Sequence, residues 1–142
     1  MRLRIKKTDP AARLPKYVHG ADDAALDLHS IELGILKPGH GRGFRTGLAF
    51  ELPKGYVGLV WDRSGLAFNN GLTTLAGLLD PGFRGEVWIY LFNTGQKAYR
   101  VQKGERIAQL VVVAAPRVTI QQVKSLTKTV RGARGLGSSG KQ

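Results

Sequence analysis

Pro81-Gly82-Phe83-Arg84-Gly85-Glu86-Val87-Trp88-Ile89-Tyr90-Leu91-Phe92-Asn93-Thr94-Gly95 reads as turn, strand, turn. Pro81-Gly82 and Asn93-Thr94-Gly95 are turn-forming pairings of rigid, short and conformationally free residues. Between them, from Gly85 to Asn93, aliphatic and aromatic side chains alternate, so both faces of the segment are apolar. A strand apolar on both faces belongs in the middle of a sheet.

The rest of the chain repeats this rhythm. Short β-rich runs stand at Leu3–Lys7, Ala25–Leu28, Gly43–Glu51, Tyr56–Asp62, Leu72–Leu75, Tyr99–Val101 and Glu105–Ala114. They are separated by Pro38-Gly39, Pro53-Lys54-Gly55 and Asn69-Asn70-Gly71. Strands of this length at this spacing predict an all-β sandwich or barrel. No long segment has helical periodicity; the one helical candidate is a single turn around Ser64–Phe68. There are no internal repeats. Residues 1–120 read as one β core, and 121–142 as a polar linker (Gln121–Val130) followed by a Gly-rich arm.

A chain of 142 residues buries an adequate core without staples, and the absence of cysteine excludes disulfides and thiolate metal sites. Met1-Arg2-Leu3-Arg4-Ile5-Lys6-Lys7 is too short and too charged for a signal peptide, and no apolar run reaches membrane-spanning length. The expectation is a cytoplasmic protein with no membrane partner. Its formal charge is +12; six of the first sixteen residues are Lys or Arg, and no acidic residue follows Glu105. Such a field suits a phosphorylated ligand, whether a nucleotide or a nucleic-acid backbone, and equally a merely soluble surface.

Five segments carry candidate chemistry. In Asp62-Arg63-Ser64-Gly65-Leu66-Ala67, Arg63 offers a planar permanent cation, Ser64 a hydroxyl and Gly65 accessible backbone amides, a set suited to phosphate. In Leu72–Glu86, read as a hairpin entering the central strand, Asp80 closes the apolar run Ala76–Leu79 just before Pro81-Gly82. A carboxylate there is placed either as a general base for water or as a turn cap. Phe83 offers a flat face to a sugar or base. On the strand after Lys103-Gly104, Arg106, Ala108 and Leu110 share one face, with Ile107 and Gln109 on the other. Gln109 then needs hydrogen-bond partners, and a structural one is favoured. Asp27, alternating with Leu26 and Leu28, suits a water of hydrated Mg2+ or a salt bridge equally. Finally, Arg131, Arg134, Ser138 and Ser139 punctuate the glycines of the last dozen residues, a segment able to close over an anion.

In order and across Ala24–Gly140, these five segments resemble the deoxyuridine triphosphate nucleotidohydrolase (dUTPase) family. Its motifs read Ala-Gly-x-Asp-Leu, Arg-Ser-Gly-Leu-Ala, Gly-Val-Ile-Asp-x-x-Tyr-Arg-Gly-Glu, Gly-x-Arg-Ile-Ala-Gln and Arg-Gly-x-Gly-Gly-Phe-Gly-Ser-Thr-Gly. The resemblance implies a β jelly roll, usually a homotrimer whose active sites combine residues of several subunits. It implies Mg2+-dependent hydrolysis of dUTP to dUMP and pyrophosphate, limiting uracil in DNA and supplying dUMP. Arg63, Ser64, Gly65 and Gln109 would then hold the triphosphate, and Asp27 would contact Mg2+ through water. The hairpin, with Leu75, Ala76, Gly77 and Leu79, would read uracil largely through its backbone. Asp80 would activate water, and Phe83 would exclude a 2′-hydroxyl. Arg131, Leu136, Gly137, Ser138 and Ser139 would fold over the substrate. Phe83 stands where tyrosine is usual, Leu136 replaces an aromatic ring, and Arg134, Ala25 and Leu75 replace glycines.

Two other readings compete. The dCTP deaminases share the fold and have Asp-Pro-Gly-Trp where this chain has Asp80-Pro81-Gly82-Phe83, but they need a glutamate at the position held here by Tyr90. A regulatory protein on the same scaffold, touching nucleic acid or protein through the basic termini, would have no need of Asp80 and the phosphate-holding residues together.

Overall fold

The computed structural model describes residues 2–135. Among these, ten strands and one α-helix follow in chain order: β1 (Arg4–Lys7), β2 (Leu26–His29), β3 (Gly34–Leu36), β4 (Gly41–Glu51), β5 (Tyr56–Trp61), α1 (Ser64–Asn70), β6 (Leu72–Leu75), β7 (Leu78–Leu79), β8 (Glu86–Asn93), β9 (Tyr99–Val101) and β10 (Arg106–Ala114). One four-stranded sheet runs β1-β4-β8-β6, a second runs β2-β10-β5-β7, and β3 pairs with β9 alone. All pairings are antiparallel. The all-β class read from the turns, with the jelly-roll-like arrangement that the family resemblance implies, is the architecture found.

Inward residues of both sheets meet in one core. Phe44, Leu48, Val87, Ile89 and Leu91 come from the first sheet, Leu28, Ile107 and Leu110 from the second, and all are at most 1 % exposed. β8 is central, hydrogen-bonded to β4 and β6. Its two faces differ from the sequence expectation, however. Val87, Ile89, Leu91 and Asn93 are buried, whereas Trp88 and Tyr90 on the other face are exposed. An apolar outward row is a surface awaiting cover rather than core of the single chain.

β4 is long because it bends. Its register against β8 breaks between Arg45 and Ala49, where Gly47 adopts φ 67°. A Cβ at Gly47 would stand 2.8 Å from that of Ala12. The opened backbone is filled by Glu86, which accepts from the Gly47 amide at 2.9 Å and from Arg45 Nη2 at 3.0 Å. Burial raises the Glu86 pKa, but the Arg45 guanidinium and the Gly47 amide outweigh it and hold the carboxyl below its ordinary range. Buried Asn93 closes the next turn, donating to the carbonyls of Leu36 and Lys97 and accepting from the Gly95 amide. Every polar atom of that side chain is thus satisfied.

Three local expectations change. Leu72–Asp80 is not a self-paired hairpin: β6 joins β8 in one sheet and β7 joins β5 in the other. The segment therefore crosses between sheets. The alternation expected over Arg106–Leu110 fails because a bulge interrupts the β2–β10 register there; Ile107, Ala108 and Leu110 are all buried. The single helical turn extends to seven residues, Ser64–Asn70, ending at Gly71 in the left-handed region. Among the described residues no strand follows Ala114.

Candidate active site

Asp27 sits on β2 with only 8 % of its surface exposed, and a carboxylate so buried requires partners. Two arginines supply them. Arg63, between β5 and α1, donates through Nε to Oδ1 at 3.2 Å, and Arg106, at the start of β10, donates through Nη1 to Oδ2 at 2.9 Å. Arg63 also donates from Nη1 to the Arg106 carbonyl at 3.3 Å. Each guanidinium has five N–H donors in a rigid fork. One carboxylate therefore fixes both cations and leaves further donors free for an anion. The Arg63–Asp27–Arg106 group carries a net single positive charge.

Around it lies a cavity of about 590 Å³, lined by Asp27, Trp61, Arg63, Ser64, Arg106 and Gln109, with Gly65 at its edge. That volume suits a nucleotide-sized ligand. Ser64 and Gly65 open the first turn of α1, where backbone amides have no intrahelical acceptor. A side chain at Gly65 would project into open space. Leu66 anchors the helix in the core. Gln109 donates to the Asp62 carbonyl at 2.7 Å; this is the structural partner its strand position requires.

The remaining expected residues lie elsewhere in the chain. β7 runs antiparallel to β5, with Leu78 beside Leu59 and Leu79 beside Gly58. Continuing that register sets Asp80 level with Val57, six residues back from Arg63. At a strand rise of roughly 3.3 Å per residue, about 20 Å separates Asp80 from Arg63 within one chain. Asp80 is exposed. Its carbonyl accepts the Phe83 amide at 3.1 Å across the Pro81-Gly82 turn, while its carboxylate has no partner among the described residues. Phe83 is 43 % exposed and Leu75 48 %. Ala76, also exposed, holds φ 55°, the only positive φ of a non-glycine among the described residues. Gly77 is fixed by contact: a Cβ there would lie 2.5 Å from the Val60 carbonyl oxygen. Leu79 is half-buried.

In the arm, Arg131 is exposed and folds onto its own turn, Nε donating to the Arg134 carbonyl at 3.2 Å while Arg134 Nε donates back at 3.0 Å. Leu136, Gly137, Ser138 and Ser139 lie outside the described residues.

The donor set does not build a metal centre. No group of three His, Cys, Asp or Glu able to hold an ion occurs among the described residues, and both Asp27 oxygens are engaged by guanidinium. Any Mg2+ here would owe its inner coordination to phosphate and water rather than to protein. Nor is any helix among the described residues long and apolar enough to cross a membrane.

Among the lining residues to which sequence reading gives no site role are Arg106, Trp61 and Asp62. A regular strand puts Arg106 on the face of Ala108 and Leu110, and the bulge undoes that arrangement. Its recoverable mark is a cation three residues before a strand glutamine.

Comparison with known proteins fits this arrangement. Residues 13–140 match the dUTPase family model. The deoxyuridine 5'-triphosphate nucleotidohydrolase of Solibacter usitatus is 45 % identical over 144 aligned residues, covering 99 % of this chain and 97 % of that protein. The dUTPase of Staphylococcus bacteriophage 80alpha, solved with dUPNHPP, superposes with a TM-score of 0.92 at 31 % identity, covering 98 % of each chain. A variant of the dUTPase from phage phi11 of S. aureus, described with a structural Mg(II) ion, gives 0.82 at 26 % identity, covering 88 % of this chain and 98 % of that one. By family model, by identity along nearly its whole length and by fold, this chain belongs to the dUTPase family.

Proposed function

We propose that the protein hydrolyses dUTP to dUMP and pyrophosphate in a site shared between copies, most simply in a homotrimer. The observation that carries this is the cavity in which Asp27 presents two arginines beside Ser64 and Gly65. Such a cavity binds a polyphosphate by charge-assisted, bidentate hydrogen bonds. Asp80 lies about 20 Å from that cavity along the strands of its own chain. It therefore serves the cavity of a neighbouring copy.

In that shared site Arg63, Arg106 and Ser64 hold the phosphate oxygens and offset the charge that develops during attack. Gln109 braces the wall through the Asp62 carbonyl. The exposed carboxylate of Asp80 takes a proton from water as that water attacks the α-phosphorus in line. Pyrophosphate leaves with the bond electrons. Leu75, Ala76, Gly77 and Leu79 shape the uracil pocket, largely through their backbone, and the Phe83 ring occupies the space a 2′-hydroxyl would need. Arg131 and the following Leu136–Ser139 segment close over the γ-phosphate and exclude water. Asp27 would hold Mg2+ through water where the ion is bound, and the ion would supply charge that offsets the triphosphate.

The test is steady-state kinetics on dUTP, UTP, dTTP and dCTP. The expected result is a strong preference for dUTP. Equal rates on dUTP and UTP would remove the role given to Phe83, and no cleavage of dUTP would remove the activity.

A further inference from the structure

Asp62 stands immediately before Arg63, on the wall of the phosphate cavity, and its two halves face different structures. Its main-chain carbonyl receives Gln109 Nε2 at 2.7 Å and belongs to the cavity. Its carboxylate points to β6. Oδ1 accepts the Thr74 amide at 2.5 Å and the Thr74 hydroxyl at 2.8 Å, and Oδ2 accepts the Thr73 hydroxyl at 3.0 Å.

These bonds cross a boundary. Thr73 and Thr74 belong to the first sheet through β8, whereas Asp62 extends β5 of the second. The carboxylate thus clips one sheet to the other where β6 ends at Leu75 and the chain passes on to Ala76 and Gly77. The far end of that short segment is tied to the same strand, since the Val60 amide donates to the Gly77 carbonyl at 2.8 Å. Ala76 is held at φ 55° between the two ties, a conformation an alanine keeps only when its surroundings impose it.

We propose that Asp62 is a positioning residue for base selectivity: its carboxylate sets the shape of the Leu75–Leu79 segment without touching substrate. This rests on the reading above that the segment receives uracil. Three donors converge on one anion, so the clip is strong for its size. A backbone that reads a base by close fit needs such a fixed anchor. In the Asp62→Asn variant the carboxamide could still accept the Thr74 amide through its single carbonyl oxygen, but its NH2 group could not accept from Thr73.

The experiment compares full-length wild type, Asp62→Asn and Thr74→Val for kcat and KM on dUTP and dTTP, and for inhibition by inorganic tripolyphosphate. For Asp62→Asn the KM for dUTP should rise about tenfold, and the ratio of kcat/KM for dUTP over dTTP should narrow about tenfold, the scale of losing one hydrogen bond to a charged group. Inhibition by tripolyphosphate, which needs only the cavity, should stay within about twofold. Thr74→Val should shift selectivity the same way by less, and it carries the test alone if Asp62→Asn does not fold. Unchanged selectivity, or a loss spread evenly over dUTP, dTTP and tripolyphosphate, overturns the proposal. A wild type without preference for dUTP would instead bring down the functional reading on which it rests.

Discussion

At the scale of single residues, the cavity is organised by charges that fix one another. Arg63 and Arg106 meet the buried Asp27 from two sides, and that one carboxylate aligns both arginines. The neighbouring His29 shows the cost of that cationic surround. Its Nδ1 is buried without a hydrogen bond. Burial first, then the charges of Arg13, Arg106 and Arg63, hold its pKa below the ordinary 6.5, with Asp27 opposing them. The folded protein therefore binds fewer protons at His29 than the unfolded chain does as pH falls through that value. Its contribution is fully present above about pH 6.5 and is lost below it. Urea midpoints should be level from about pH 8 to 7 and then decline toward about pH 5, more steeply than in His29→Gln. Parallel curves for the two proteins would show that His29 carries no linkage. Arg63, Ser64, Gly65 and Gln109 are legible in the sequence because a polar cluster at a strand end and a glutamine within an apolar strand each demand a partner. Arg106 and Asp62 are not, because their partners, Asp27 and the threonines of β6, are remote in sequence.

At the scale of elements, turns are the readable feature and sheet exchange is not. Pro53-Lys54-Gly55 and Asn93-Thr94-Gly95 end strands and Asn69-Asn70-Gly71 ends α1 by local chemistry, so most strand boundaries fall within a residue or two of expectation. β3 and β7 are three and two residues long; such pieces are strands only because β9 and β5 pair with them, and local sequence carries no mark of that. The apparent hairpin at Leu72–Asp80 fails for the same reason. Beyond Ala114 the chain has no strand among the described residues, and Val118, Ile120, Leu126 and Val130 are more than 80 % exposed. Deleting Val130–Gln142 should leave the melting temperature nearly unchanged, since residues 130–135 are all exposed. Turnover should nevertheless collapse if, as proposed, this segment closes over the substrate. Leu136→Phe should tighten dUTP binding by roughly 0.5–1.5 kcal/mol through stacking. Kinetics and sedimentation of the three proteins check this, and a truncated enzyme of full activity would make the arm dispensable.

At the scale of the whole molecule, the parts of the proposed active site stand apart within one chain. The cavity lies at one end of β5 and Asp80 near the other, and the outward row of Trp88, Tyr90 and Leu75 is left uncovered. Copies arranged in a ring would cover apolar surface and bring Asp80 of one to the arginines of the next. The most direct test mixes two disabled proteins. Asp80→Asn alone should lose about 10²–10⁴ of turnover, and Arg63→Ala alone should be similarly crippled by loss of a phosphate anchor. Unfolded together in equal amounts and reassembled, they should recover about a quarter of wild-type activity, because roughly one site in four pairs an intact Asp80 with an intact Arg63 from a neighbour. A mixture that stays as inactive as its components would mean that each chain builds its site alone, and the shared site would be wrong.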